Sequence, residues 1–328
     1  MYKNAFLIIG KTPPPIGGVS IHTSRLLALC DDKNFNYKFY NYENFNLLTL
    51  FSAIRLTRVA HIHCNNPLLL LLFVILCKML KTKSIITIHG NFKPHKSVLF
   101  FIEAFALYLS DTPILINKNS IEKAIIMNKN SLLFSSFIPP IMNEQLNNRM
   151  KNKIELLKTN SDMLFCTNAF DYSISHDGKE VYGIIPLIKL FNQNINLGLI
   201  VSDPKGSYLN YIKRIKLELN QNIVILDGGH PFFEVLKKSD CFIRNTTTDG
   251  DSISIKEALF LGIRVIASNC VDRPEGVDIF MLEDQISLSN TITKVVNNRY
   301  ISRKYKKPIN GGLQLLQLYR QKLNQYPR

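Results

Sequence analysis

The stretch from Thr246 to Ser268 decides how this chain folds, and its sequence is Thr-Thr-Thr-Asp-Gly-Asp-Ser-Ile-Ser-Ile-Lys-Glu-Ala-Leu-Phe-Leu-Gly-Ile-Arg-Val-Ile-Ala-Ser. The pattern predicts a polar loop, a short helix and a buried strand. Ser254 and Glu257 have the spacing of a capping box, in which two side chains satisfy backbone N–H groups at a helix start. Gly262 lies where a helix ends on a left-handed residue. Loop, helix and strand in this order are typical of an α/β repeat.

Two acidic residues, Asp249 and Glu257, flank the start of this predicted helix. A helix N-terminus presents unpaired N–H groups and partial positive charge, which together favour phosphate. Carboxylates on either side can hold sugar hydroxyls while the amides hold phosphates. Two simpler interpretations stay open at this point. Glu257 could serve only in the capping box, and Asp249 could be only a solvated turn residue.

The first predicted strand leads into a glycine-containing loop, and a second set of strands begins later in the chain. Ala5 to Gly10 predicts a parallel strand, followed by a loop with Gly17 and Gly18 and then a helix. The three-glycine dinucleotide fingerprint is absent, which argues against a dehydrogenase. A new repeat starts with the strand from Asp162 to Asn168. Length and composition agree, because 328 residues with 46% hydrophobic content suffice for two α/β domains.

The histidines of the first half fall into two predicted classes. His89 follows the strand from Ser84 to Ile88, at the edge where α/β proteins bind ligands. His61 and His63 lie at alternate positions of a predicted strand from Val59 to Cys64 and are expected to be buried structural residues. The role of His22, on the first helix, stays open.

The acidic pair and the Glu-Ala-Leu that follows it resemble the retaining glycosyltransferases of the two-Rossmann-domain (GT-B) type, family 4. The Gly17-Gly18 loop and the Thr-Ile-His-Gly corner ending at Gly90 are similar to motifs of the same family. The resemblance implies an α/β fold with two Rossmann-like domains facing across a cleft. Residues 1–150 would be the acceptor-side domain and 151–300 the nucleotide-sugar-binding domain. Residues 301–328 would form a basic helix that returns to the first domain.

The resemblance also implies an activity, the transfer of a sugar from a nucleotide-sugar to a glycan or polyprenyl-linked acceptor with retention at the anomeric carbon. The expected catalytic residues are His89 beside the sugar, Asp249 on its hydroxyls and Glu257 on the ribose. The expected donor-binding residues are Gly17, Gly18, Asn168, Arg244, Thr248, Gly250, Asp251, Ser252, Ile253, Ser254 and Glu257. The family is generally metal-independent, so no metal or other cofactor is expected.

Several basic positions depart from the family pattern. Asn168 occupies the place of an arginine that reaches the donor diphosphate, and Lys179 is a candidate for the family's lysine. Arg244 is the expected substitute, because a leaving diphosphate needs compensating positive charge. Arg273 either meets substrate or forms a surface salt bridge. Arg264 stands where many members have proline.

Net charge is +15, and residues 299–328 carry eight basic residues and no acidic one. Such an excess favours an anionic surface. No nucleic-acid-binding motif accompanies it, so an anionic membrane surface is the expected partner and nucleic acid is not. The apolar runs Pro67 to Leu76 and Val98 to Leu109 are shorter than the ~20 residues that span a bilayer. Without a signal peptide and with scattered cysteines, the chain is expected to be cytoplasmic and peripheral at the inner face of the cell membrane.

The richness in Asn, Lys and Ile with no Trp indicates an AT-rich, bacterial genome. Together with the resemblance, this favours surface polysaccharide biosynthesis, such as capsule or O-antigen. Two alternatives stay open. A nucleotide-sugar epimerase shares the double-Rossmann architecture, and a non-catalytic glycosyltransferase-like partner subunit would explain the missing arginine.

Overall fold

The computed structural model describes residues 4–14, 17–90, 92, 97–141, 145–249, 251–300 and 306–325. The chain divides into two compact units. Unit 1 comprises Met1–Met142 with Ile309–Arg328, and unit 2 comprises Asn143–Pro308. Each unit contains a six-stranded parallel sheet with helices packed on both faces. The predicted α/β class with two Rossmann-like domains is therefore confirmed.

Unit 1 has its strands in the order β2-β1-β3-β4-β5-β6, all parallel. The strands are β1 Asn4–Gly10, β2 Lys38–Asn41, β3 Thr57–Ile62, β4 Lys83–Ile88, β5 Thr112–Leu115 and β6 Leu132–Leu133. The helices are α1 Gly18–Asp32, α2 Leu47–Arg55, α3 Pro67–Met79, α4 Val98–Leu109, α5 Lys118–Met127 and α12 Gly311–Gln325, with a 3-10 turn at Tyr42–Asn44. Helices α2 to α5 cover one face of the sheet, and α1 and α12 cover the other.

Unit 2 has its strands in the order β12-β11-β10-β7-β8-β9, again all parallel. The strands are β7 Met163–Asn168, β8 Leu197–Asp203, β9 Ile223–Asp227, β10 Cys241–Arg244, β11 Arg264–Ser268 and β12 Asp278–Phe280. The helices are α6 Asn148–Thr159, α7 Ile184–Asn192, α8 Ser207–Arg214, α9 Phe232–Lys237, α10 Ile253–Phe260 and α11 Gln285–Asn297. Helices α7, α8 and α11 pack on one face, and α6, α9 and α10 pack on the other.

The strand orders identify where each sheet can bind a ligand. Counted from β7, the order in unit 2 is 3-2-1-4-5-6, that of the dinucleotide-binding Rossmann fold. The connections change direction between β7 and β10, which opens a crevice beyond the carboxyl ends of these two strands. In unit 1 the corresponding change lies between β1 and β3. Each unit therefore has one topological switch point.

The unit boundary lies after Met142 rather than after Met150, where the sequence placed it. Residue 150 falls inside α6, whose Met150, Ile154 and Leu157 are buried in the core of unit 2. The spacing of these residues gives α6 one apolar face, and this face packs against the sheet of unit 2. Residues 148–150, which the sequence assigned to the first domain, thus belong to a helix of unit 2.

The last helix, α12, packs within unit 1, and unit 2 ends at Pro308 rather than at residue 300. Tyr319 is fully buried, with its ring 4.1 Å from that of Phe6 in β1. Its hydroxyl lies 2.5 Å from Nδ1 of His61 in β3. At the helix start, a Cβ on Gly311 would collide with the backbone carbonyl of Ser135. Residues 301–305 lie outside the described part of the chain.

The two apolar runs of the first half form α3 and α4, which pack against each other. Helix α4 exposes one row of large side chains, Val98, Phe101, Phe105 and Tyr108. Within the described residues, no helix is both long enough and apolar enough to cross a bilayer.

Candidate functional site

The candidate site of unit 2 lies at its switch point, where β7 ends at Asn168 and β10 ends at Arg244. Three charged side chains meet there. Arg244 donates to Asp249 from Nε, 3.1 Å from Oδ2, and from Nη2, 3.0 Å from Oδ1. Arg273, on the loop after β11, donates from Nη1 to the same Oδ2 at 2.8 Å. Two guanidinium groups therefore share one carboxylate, and the three side chains carry one net positive charge.

This charge cluster is largely shielded from solvent. The side chains of Arg244, Asp249 and Arg273 are 12%, 7% and 1% exposed. Burial would raise the pKa of Asp249, but the charge and hydrogen bonds of Arg244 and Arg273 outweigh it and lower the pKa. A lowered carboxyl pKa keeps the group ionised at neutral and mildly acidic pH. The cluster therefore retains its three charges over that range.

Asn168 links the cluster to helix α10. Its Oδ1 accepts from Arg244 Nη1 at 3.3 Å, and its Nδ2 donates to Ser254 Oγ at 3.1 Å. Three of the five guanidinium N–H groups of Arg244 are used in these contacts with Asp249 and Asn168, and the described residues provide no partner for the other two. The amide at the position of the family's arginine thus orients a different arginine.

The predicted capping box at Ser254 and Glu257 is wrong. The helix begins at Ile253, and its N-cap is Ser252, whose Oγ accepts from Ile255 N at 3.4 Å. Ser254 is inside the first turn, so its hydroxyl is available to Asn168 instead. Glu257 is one turn further on and 4% exposed, so it is not at the capping-box position of a helix that is capped by Ser252, and Asp249, whose side chain is 7% exposed, is not a solvated turn residue. The prediction for Gly262 is confirmed, because its φ is +75°.

The other predicted donor-binding residues surround this helix start. Thr248 is exposed before Asp249, Ile253 is the first helical residue, and Asp251 forms an ion pair with Lys256. Asp249 and Asp251 are therefore held by different basic side chains. Gly250 lies outside the described residues.

The remaining basic candidates are Arg273, Lys179 and Arg264, and the first of them lies in the charge cluster. Arg273 is part of the buried cluster, so the interpretation as a surface salt bridge is wrong. Lys179 is exposed and pairs with Glu283 at 2.7 Å instead of joining the cluster. Arg264 is buried in β11, where Nε donates to Asp278 Oδ2 at 3.0 Å, so it supports the fold of unit 2.

Gly183 fixes the loop that carries Asp249. Helix α7 starts at Ile184, because Gly183 precedes it with φ +58°. The carbonyl of Gly183 accepts a hydrogen bond from Nδ2 of Asn245 at 2.8 Å. Asn245 directly follows Arg244 in the sequence. A Cβ on Gly183 would collide with both the backbone oxygen and the side-chain amide of Asn245.

Replacing Gly183 by alanine is expected to lower the free energy of unfolding by about 2–6 kcal/mol, because left-handed strain and overpacking each cost about 1–3 kcal/mol. Urea unfolding followed by circular dichroism measures this change. Gly229→Ala is the matched control, since a Cβ there meets no described atom within 4 Å. A Gly183→Ala variant as stable as this control would show that the contact does not fix the loop.

Unit 1 presents a second group of polar residues near its own switch point. His89 follows β4, as predicted, and its Nε2 lies 3.2 Å from Nδ1 of His63. The ring of His22 lies 4.9 Å from that of His89 and 5.3 Å from that of His63. Strand β3 ends at Ile62 rather than at Cys64, so His63 starts the following loop. Among the described residues, these three histidines have ring nitrogens within 4.8 Å of one another.

His61 is the buried structural residue that the sequence predicted. Besides its contact with Tyr319, its Nε2 lies 2.8 Å from the hydroxyl of Thr87. Gly17 precedes α1, with φ −169° and no side-chain cap. A Cβ on Gly18 would meet no described atom within 4 Å. Packing among the described residues therefore does not require glycine at position 18.

No family model matches the sequence, and no curated protein does either. Solved structures do match over nearly the whole chain. A glycosyltransferase from Rickettsia africae shares 13% identity at a TM-score of 0.68, over 99% of this chain and 100% of that one. The Anabaena protein HepE, solved with UDP and glucose, shares 12% identity at a TM-score of 0.64, over 98% of this chain and 97% of that one.

A further match is a protein from Listeria monocytogenes assigned as a UDP-N-acetylglucosamine 2-epimerase. It shares 10% identity at a TM-score of 0.67, over 99% of this chain and 98% of that one. At such identities the similarity establishes the fold, that of the two-Rossmann-domain GT-B proteins.

Proposed function

We propose that the protein is a retaining glycosyltransferase that moves a sugar from a nucleotide-sugar to a glycan or polyprenyl-linked acceptor. The observation that carries the proposal is the buried cluster of Arg244, Asp249 and Arg273 at the switch point of a Rossmann sheet. A net positive charge beside a helix N-terminus suits a diphosphate. The matched Anabaena protein was solved with UDP and glucose, which supports a uridine nucleotide as the first ligand to test.

In the proposed reaction, the bond between the anomeric carbon and the diphosphate oxygen breaks. The acceptor oxygen bonds to the same carbon and loses its proton. Negative charge then grows on the departing diphosphate, where the two free N–H groups of Arg244 and the amides at the start of α10 would stabilise it. Arg273 would hold the carboxylate of Asp249 in place. This step assigns the charge stabilisation to guanidinium and amide groups, with no metal or cofactor.

The other predicted residues have roles in the same proposal. Glu257 would accept from the ribose hydroxyls, and Asp249 would hold hydroxyls of the donor sugar. His89 and the backbone at Gly17 and Gly18 would contact the sugar and acceptor from unit 1. The open space beside the Gly18 Cα supports a close approach of substrate to this loop.

A panel of nucleotide-sugars tests the proposal. The correct donor should raise the thermal unfolding midpoint, because a ligand that binds only the folded state stabilises it by mass action. The same donor should be consumed in the presence of membrane or glycan extracts that contain the acceptor. If no nucleotide-sugar or nucleoside diphosphate binds, the protein is instead the non-catalytic partner subunit.

A nucleotide-sugar epimerase is the second candidate, favoured by the match to the Listeria protein and by asparagine at position 168. Incubation with the donor alone separates the two activities. An epimerase converts the donor into its epimer without an acceptor, and nuclear magnetic resonance of the sugar detects the product. A glycosyltransferase leaves the donor intact or hydrolyses it slowly.

We further propose that unit 1 docks on the cytoplasmic face of a bacterial cell membrane, where a polyprenyl-linked precursor of a surface polysaccharide would be extended. Phe101, Phe105 and Tyr108 form an exposed row on α4, and aromatic side chains favour the membrane–water interface. Lys78 and Lys81, at the end of the neighbouring helix α3, are exposed as well. Apolar insertion and attraction to anionic headgroups would therefore act together.

Replacing both Phe101 and Phe105 by serine is expected to weaken binding to vesicles that contain phosphatidylglycerol by at least about tenfold, because each buried aromatic side chain contributes about 1.5–3 kcal/mol. Co-sedimentation measures the bound fraction. Ile286→Ser removes an equally exposed apolar residue from unit 2 and should bind like the wild type. Equal binding by all three proteins would contradict membrane docking through α4.

A further inference from the structure

Three histidines from separate segments meet at the carboxyl edge of the unit 1 sheet. His22 is on the second turn of α1, His63 follows β3, and His89 follows β4. Strands β3 and β4 are neighbours, and α1 begins just beyond β1, the other neighbour of β3. The three segments border the switch point of this sheet, where α/β proteins place their ligands.

The hydrogen bond of His22 fixes which of its nitrogens can bind a ligand. Nδ1 lies 3.0 Å from the backbone oxygen of Ser136, and a carbonyl only accepts. Nδ1 must therefore carry the proton, which leaves the lone pair on Nε2. Such a bond from the second nitrogen to a carbonyl is the usual way in which proteins orient a metal-binding histidine.

Nε2 of His22 is buried and has no hydrogen-bond partner among the described residues, and Nδ1 of His63 faces Nε2 of His89. A buried polar atom without a partner destabilises the folded state, and a bound ligand removes that penalty. A neutral imidazole presents one unprotonated nitrogen as a lone-pair donor. Uncharged donors suit a cation and offer no charge to an anion.

The spacing of the nitrogens is close to that of a metal site. A tetrahedral Zn²⁺ with bonds of about 2.0–2.1 Å holds its nitrogens about 3.4 Å apart. His63 Nδ1 and His89 Nε2 are already separated by 3.2 Å, and a nitrogen of each ring lies within 4.8 Å of the other two. A modest rotation of the rings would close the remaining difference.

We propose that His22, His63 and His89 form a binding site for one divalent transition-metal ion of the Zn²⁺ class. Imidazole is a preferred ligand for Zn²⁺, Ni²⁺ and Cu²⁺ and a poor one for Mg²⁺ or Ca²⁺. Three protein ligands leave a fourth position for water or a substrate oxygen. The site shares no residue with the charge cluster of unit 2, and although His89 also has a role in the proposed transfer reaction, metal binding can be tested without that reaction.

Binding of Co²⁺ and Zn²⁺ to the full chain, stripped of metal with a chelator, tests this site. One equivalent of Co²⁺ should give a visible spectrum typical of four ligands, without the charge-transfer band of a thiolate, and Zn²⁺ should displace it. His63→Ala should weaken Zn²⁺ binding by at least about 10- to 100-fold, the loss that even outer-shell changes cause. His89→Gln, at the least buried position of the three, should do the same and guards against a failure of His63→Ala to fold.

His176→Ala is the matched control, because His176 is exposed on a loop of unit 2. It should bind one equivalent as tightly as the wild type. The proposal is overturned if the wild type shows no stoichiometric site, if the Co²⁺ spectrum reports a thiolate, or if folded His89→Gln binds Zn²⁺ like the control. None of these readouts requires the donor, the acceptor or any activity.

Discussion

Replacing Glu257 by glutamine is expected to weaken the binding of UDP, or of whichever nucleoside diphosphate the panel identifies, by about 10- to 100-fold. A hydrogen bond to a charged group contributes about 1.5–3 kcal/mol, and the substitution removes the charge while keeping the size of the side chain. Glu257 is almost fully buried on α10, so it can meet the ribose in a shielded site, where the interaction is stronger than in water. Isothermal titration calorimetry gives the affinity directly.

The control for this variant is Glu234→Gln on α9. Glu234 pairs with Lys237 on the same helix and has no assigned part in binding. Its affinity should equal that of the wild type. Thermal unfolding of both variants shows whether a loss of binding reflects a loss of folding. A folded Glu257→Gln protein with unchanged affinity would contradict the assignment of this carboxylate to the nucleotide.

Replacing Arg244 by methionine is expected to lower kcat/KM by about 10²–10³, the loss seen when one charge-stabilising donor is removed from an active site. Arg244→Lys should not restore the rate, because an ammonium group cannot reproduce the bidentate contact with Asp249. The release of nucleoside diphosphate from the identified donor measures turnover. Arg214→Met, on the outer helix α8, is the control and should retain full activity.

Removing Arg244 alone also leaves the buried Asp249 with one fewer partner. Loss of one partner from a fully buried ion pair lowers the free energy of unfolding by about 3–5 kcal/mol. The double variant Arg244→Met with Asp249→Asn removes that buried charge. If it recovers stability and is less active than Asp249→Asn alone, the further loss of rate belongs to Arg244. If it is as active as Asp249→Asn alone, Arg244 serves only to hold Asp249.

The sequence predicts the fold class and most strands because their apolar runs are local signals. The start of α10 shows the limit of such signals. Ser252 and Ser254 both suit an N-cap, and the choice between them depends on Asn168, which is distant in sequence and draws Ser254 into the site. The spacing of residues within one segment cannot reveal a contact with a residue that is distant in sequence.

The buried Arg273 and the three-histidine group were missed or left open for the same reason. Arg273 lies in a loop whose composition is typical of a surface, and only the path of the chain after β11 brings it to Asp249. His22, His63 and His89 come from three segments that the strand order brings together. One local signal could have grouped them. His63 and His89 each follow the end of a parallel strand, and His22 lies on the helix after another strand.

The position of α12 has a consequence for biogenesis. The strands of the first sheet are synthesised early. Tyr319, however, belongs to the last helix, and it contacts Phe6 and His61 on one face of that sheet. A nascent chain therefore emerges from the ribosome with one side of that sheet covered only by α1 until residues 311–325 have been translated. In the meantime the intervening unit, whose strands are contiguous in sequence, can complete its own core, so the order of translation is not the order of folding.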